Sequence, residues 1–430
     1  MTQYRFARIG LLLAAIGLGA VPALVQTAHA EDKKAEAQQE TVRKDMVKFL
    51  DGKTLGPLLE AKKYSEASAL IDQADAMPNK TPYEQYIINR MRLAVALGMN
   101  DKPKLIEMLE SMIASGRLEP AEKAKFTQAL AGYYQEQKNY PKTIENLQKY
   151  GEMSGDTKVP RQIMAIRFES GDYKGVQADL LKKLDESIKT KQPMTREELH
   201  MLADASHRLK DKANYLVALE GLVRWHPLDR YWSDMLYRTR GKENYNTRFS
   251  ADIVRLQKVA TTKMEEQDYI ELAEIDQLEG QFIEGKAVLD AGIANGAVTM
   301  NAKVKKLKAE LDKQAADDMK NIAASETSAR KAKNGTGLVN LGYAFVTMGQ
   351  YDKGLQLIQD GIAKGGLKNA EDAKLRLGYS YAMAGKKDEA IKILETVQGN
   401  DGRADLARYW ILWVNRPYPA TVGEDDNKKG

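Results

Sequence analysis

Apolar residues in this chain return every three or four positions, in runs broken by short polar stretches that often hold a glycine, and the two-residue alternation of a half-buried strand is rare. That pattern predicts amphipathic helices joined by tight turns. Two of the runs are nearly the same: residues 341–358 read LGYAFVTMGQYDKGLQLI and residues 377–394 read LGYSYAMAGKKDEAIKIL, 36 positions later. Leu341 and Gly342 match Leu377 and Gly378, Phe345 matches Tyr381, Gly349 matches Gly385, and Asp352 matches Asp388. Leu, Gly and an aromatic at i, i+1 and i+4 share one helix stripe, the Gly admitting a close neighbour. Gly349 and Gly385 then stop that helix, because Gly adopts the left-handed conformation of a helix C-terminus without steric cost. A second helix follows, its small and aliphatic residues forming a stripe that faces the first.

The second-helix signature returns from Tyr64, Tyr140, Tyr173 and Phe282, and from Lys102 and Lys212 with Lys in place of the aromatic. Starts lie about 33 to 39 residues apart. The exceptions are the steps from Lys212 to Phe282 and from Phe282 to Tyr351, each about two periods long. The segment 232–261 is expected to fill the first gap. The Lys/Glu/Ala-rich stretch 302–332 fills the second, as a degenerate unit or as a single long helix.

In these residues the chain resembles the tetratricopeptide repeat family, whose unit is a helix-turn-helix of about 34 residues. The resemblance implies an all-α fold, an α-solenoid of antiparallel helix pairs in a right-handed superhelix. It extends over residues 48–416 with about ten pairs, and RADLARYWILWV (403–414) reads as a solitary closing helix with Trp410 and Trp413 facing inward. One hairpin cannot bury its own two stripes, so each copy needs the next. The resemblance also implies a concave groove lined by first helices. The residue after the consensus Gly points into it, which is Tyr343 in one copy and Tyr379 in the other. Members that clamp a C-terminal carboxylate commonly hold Asn there; Tyr instead implies an aromatic, side-chain-reading groove.

The first thirty residues break the pattern. Arg5 and Arg8 precede an apolar run, no acid occurs before Glu31, and Ala28-His29-Ala30 is a small-x-small cleavage pattern. These are the parts of a secretory signal peptide (residues 1–30), and the run is shorter than the ~20 residues that span a bilayer. The mature chain is therefore expected in the periplasm without a membrane span, with mobile polar tails at 31–47 and 417–430. Loss of Arg5 and Arg8 leaves 63 basic against 60 acidic side chains, and Lys and Glu intersperse as on solvated helix faces. This excludes the concentrated positive charge that nucleic-acid binding requires. Cys is absent, so disulfides, thiolate metal ligands and Cys nucleophiles are excluded.

Candidate chemistry is sparse. His200, Asp204 and His207 stand at i, i+4 and i+7, but the ends of that span lie about 10 Å apart along a helix, too far for ligands at ~2 Å from one ion. Gly335-Thr336-Gly337 precedes a helix without the strand or Lys-Ser/Thr of a phosphate loop, and reads as a helix start. No metal, cofactor or catalytic set is expected. The densest local composition is RWHPLDRYWSDMLYRTR (224–240), where Arg224, Trp225, Arg230, Tyr231 and Trp232 bring guanidinium groups and aromatic faces together, a mixture that suits a peptide, a glycan or an acidic surface. The function expected is a non-catalytic scaffold or adaptor that holds a peptide segment or protein partner in the cell envelope. The alternative is the helical lobe of a glycan- or cell-wall-processing system, and self-association through lateral faces is compatible with either.

Overall fold

The computed structural model describes residues 40–416; the signal-type segment, residues 31–39 and the tail from 417 lie outside the described residues. The described residues are helical throughout, with no strand. They divide into two compact units that meet at Asp172 and Tyr173.

The N-terminal unit holds α1 (Lys44–Leu50), α2 (Gly52–Glu60), α3 (Tyr64–Asp75), α4 (Pro82–Met99), α5 (Lys102–Ala114), α6 (Pro120–Glu136), α7 (Tyr140–Ser154) and α8 (Val159–Glu169). Residues 44–47, expected in a mobile tail, instead form most of α1, and Met46 is fully buried. Arg43 explains why: its guanidinium holds Glu84 at 2.7 Å and donates to the Pro78 carbonyl, fastening the entry of α1 to the start of α4. Thr81 caps that start, accepting from the Glu84 N–H while Glu84 accepts from the Thr81 N–H.

The C-terminal unit holds α9 (Tyr173–Thr190), α10 (Arg196–Arg208), α11 (Lys212–Trp225), α12 (Asp229–Arg240), a 3-10 turn (Thr247–Phe249), α13 (Ser250–Ala260), α14 (Glu266–Glu279), α15 (Phe282–Ala294), α16 (Ala302–Lys331), α17 (Thr336–Thr347), α18 (Tyr351–Lys364), α19 (Ala370–Met383), α20 (Lys387–Leu394) and α21 (Arg403–Val414). Every second-helix signature read from the sequence begins a helix at the residue named. The first long gap is filled by α12 and α13, and the second by the single 30-residue helix α16.

One turn geometry serves the paired helices of both units. Two residues before each second helix the backbone is left-handed, at Lys62, Asn100, Lys138, Gly171, Lys210, Gly280, Gly349 and Gly385, with φ between 54° and 91°. Helix packing dictates this conformation even where Lys must adopt it, at a cost of about 1–2 kcal/mol. Glycines also set helix separation. A Cβ on Gly335 would lie 1.8 Å from the Gly361 carbonyl oxygen, and one on Gly342 would lie 2.6 Å from that of Gly354, so α17 and α18 touch backbone to backbone at two levels. Gly335 therefore serves helix packing.

The C-terminal unit closes on itself. Helix α21 packs on α19 and α20, as a closing helix should, and also reaches back to α11 and α13. Thr239 and Tyr409 share a hydroxyl hydrogen bond at 2.9 Å across 170 positions, the Trp413 indole donates to the Val259 carbonyl at 2.9 Å, and Arg408 grips Glu220 at 2.8 Å.

Candidate functional site

Tyr343 on α17 and Tyr379 on α19 do point inward together, their rings edge to face at 5.6 Å. Both are completely buried, which corrects the expectation that they line an open groove. The space before them is taken by the chain itself: Trp410 of α21 stacks on Tyr379 at 5.4 Å, and Trp413 meets Trp410 edge-on. A groove that would admit a peptide in an open stack is here filled by the last helix.

Beside these rings lies a buried charge network that no sequence motif announced. Arg255 of α13 is 4 % exposed and binds three carboxylates: Asp252 at 3.1 Å, Asp276 of α14 at 2.6 Å and Glu284 of α15 at 2.9 Å. Tyr343 donates its hydroxyl to Glu284 at 2.9 Å, and the guanidinium groups of Arg255 and Arg376 both lie about 5 Å from the Tyr343 ring centroid. Burial alone would lower the pKa of Arg255; the charge of Glu284 first, then Tyr343 and Asp276, reverses that and holds it well above its ordinary value. The pKa of Asp276 is raised as well. Burial and the neighbouring charge of Glu284 raise its pKa well above the carboxylate range against the pull of Arg255, and its Oδ2 has no hydrogen-bond partner among the described residues. The arrangement offers electrostatic cross-linking of α13, α14, α15 and α17.

The arginine- and tryptophan-rich stretch divides in two. Trp232 and Tyr231 are buried, at 2 % and 4 % exposure, so they are packing residues rather than contact residues. The Tyr231 hydroxyl meets His200 Nε2 at 2.8 Å and accepts from Arg230 at 3.1 Å. His207 packs against Tyr215, so the two histidines serve separate contacts. Burial, followed by the charge of Arg230, lowers the pKa of His200. Arg224 and Trp225 at the end of α11 are half-buried and Arg230 is exposed. The pKa of Arg224 is lowered by burial, which the charge of Glu220 only partly opposes. Tyr237, about two helical turns beyond Arg230, is 78 % exposed.

A second polar and aromatic surface lies in the N-terminal unit, at the start of α4 and the end of α5. A pocket of about 310 Å³ is lined by Pro82, Gln85, Tyr86, Asn89, Ser111 and Met112, among others. Asn89 donates to Ser111 at 2.8 Å across it. At its rim Tyr83 and Tyr86 stack at 6.3 Å, and the Arg117 guanidinium lies 5.6 Å from the Tyr83 ring centroid. The carboxylate of Glu40 grips Arg117, with Nη2 donating to Oε1 at 3.0 Å.

Comparison with known proteins agrees with the helix pairing. Residues 372–401, which span most of α19 and all of α20, match the family model described as tetratricopeptide repeat. The matched residues form one such repeat, and with the helix pairs that surround them they give a helical repeat scaffold suited to protein binding. Solved structures similar to it include the Naa15/Naa10 complex bound to HypK-THB, at 14% identity and TM-score 0.29 over 82% of this chain, which spans 58% of that one. Yeast Tom70 is similar at 12% identity and TM-score 0.23 over 86% of this chain and 96% of that one. None of the curated proteins matches the chain. No helix among the described residues is long and apolar enough to cross a membrane.

Proposed function

We propose that the protein is a periplasmic, non-catalytic adaptor that holds a peptide segment or protein partner in the cell envelope, using outward surfaces rather than the groove. The observation that carries this reading is the division of the aromatic-arginine stretch. Its buried half fixes the corner between α11 and α12, and this leaves Arg224, Trp225, Arg230 and Tyr237 accessible on a rigid support. Arg and aromatic side chains held in place lose little conformational entropy on binding, which is why they dominate protein interfaces. The Arg5/Arg8 segment, apolar run and Ala28-His29-Ala30 pattern support export.

The test is affinity capture from envelope extract with the full chain and with a Trp225→Ala/Arg230→Ala double variant, read by mass spectrometry, together with fractionation of the tagged protein. A partner recovered by the unmodified chain and depleted about tenfold or more by the variant is expected, because two anchor residues at 1 kcal/mol or more each act together. Recovery of the same proteins by both, or a cytoplasmic location, would overturn the reading.

A further inference from the structure

We infer that the surface formed by Tyr83, Tyr86 and Arg117 is a second binding site, specific for an extended acidic peptide segment, and that Glu40 occupies it as an internal stand-in for the ligand. The inference rests on the reading of the protein as a partner-binding scaffold, but concerns a different unit and a different chemistry from the α11–α12 corner.

Three observations meet here. First, the geometry is that of a carboxylate receptor: Arg117 presents both terminal nitrogens to the two oxygens of Glu40, a bidentate arrangement that selects planar carboxylates. Its guanidinium is steadied by the Tyr83 ring, which itself stacks on Tyr86. Second, the site continues beyond the carboxylate. Tyr86 belongs both to the aromatic pair and to the pocket, whose floor includes Met112 and whose wall carries the Asn89 and Ser111 amide and hydroxyl groups. A peptide whose acidic side chain sits on Arg117 therefore has a place for a neighbouring side chain. Third, the resident carboxylate is replaceable. Glu40 is about half exposed and precedes the first helix, while Arg43, three residues on, makes the contacts that anchor α1. Releasing Glu40 leaves that anchor in place. An exposed ion pair is weak and screened by salt, so an incoming carboxylate competes on nearly equal terms.

The experiment uses the full chain and a fluorescein-labelled peptide, Glu-Glu-Phe-Glu-Glu, with Lys-Lys-Phe-Lys-Lys as the charge-reversed control, read by fluorescence anisotropy at low and high NaCl. The acidic peptide is expected to bind and the basic one not, with affinity falling as salt rises. Glu40→Gln, which removes the internal competitor, is expected to tighten binding about threefold or more, and Arg117→Gln to weaken it about tenfold, with both variants melting as the unmodified chain does. Binding unchanged by Arg117→Gln, or no binding even by Glu40→Gln, overturns the site. A Glu40→Gln chain that melts lower without binding more tightly makes Glu40 a structural strap, which also overturns it. These outcomes are independent of capture through Trp225 and Arg230, so either proposal can fail alone.

Discussion

Arg255 and Arg117 make the same chemical contact in opposite surroundings. Arg255 lies within the C-terminal unit and answers three carboxylates from three helices; Arg117 lies at a rim in the N-terminal unit and answers one, from the chain ahead of α1. Desolvation decides what each can do. A buried ion cluster cannot lose a member without leaving an uncompensated charge in a low dielectric, whereas an exposed pair exchanges its partner for water or another ligand freely. The first arrangement locks helices together, and the second leaves a surface ready for recognition.

The largest expected effect comes from breaking the buried cluster. Arg255→Ala should destabilise the C-terminal unit by about 3–5 kcal/mol, read as a shift in the urea midpoint, since three carboxylates lose a buried cation that binds all of them. Tyr379→Ala should cost about 3–4 kcal/mol, because it opens a cavity against Trp410 and Tyr343. A variant that melts normally would mean that the tyrosine faces an open groove after all. Asp276→Asn tests the sign of its titration. A carboxyl whose folded pKa is raised contributes stability that is fully present below its unfolded value of about 3.9 and lost as pH rises through the folded value. The unmodified chain should therefore lose stability from this group as pH climbs above ~4, and Asp276→Asn should flatten that slope in melting scans. A slope left unchanged would show that Asp276 is not the titrating group. The smallest effect belongs to Glu40→Gln, for which an unchanged melting temperature is expected at any salt.

Much of this was legible in the sequence. Helix pairs, their starting residues and the closing helix follow from local periodicity and from turn residues, and local signals are what a sequence carries most clearly. Even the left-handed turns were visible where Gly349 and Gly385 occupy them. They were hidden at Lys62, Lys138 and Lys210, where packing overrides the residue's own preference. The inward direction of Tyr343 and Tyr379 was also legible, but the filling of the space they face was not. It depends on contacts such as Thr239 with Tyr409 that no periodic pattern encodes. One clue was present: Arg255 interrupts the apolar run Ile253-Val254-Arg255-Leu256, and a charge at that place in a helix asks for a buried partner.

The bond between Thr239 and Tyr409 also constrains time. Local hairpins can form while the chain is still emerging, but a contact spanning 170 residues must wait for the last helix and for the entropy of closing a long loop. The C-terminal unit can thus reach its final packing only after α21 has been made. Until α21 docks, Tyr379 lacks the Trp410 ring that stacks on it, and α11 and α13 lack the contacts that tie them to the end of the unit.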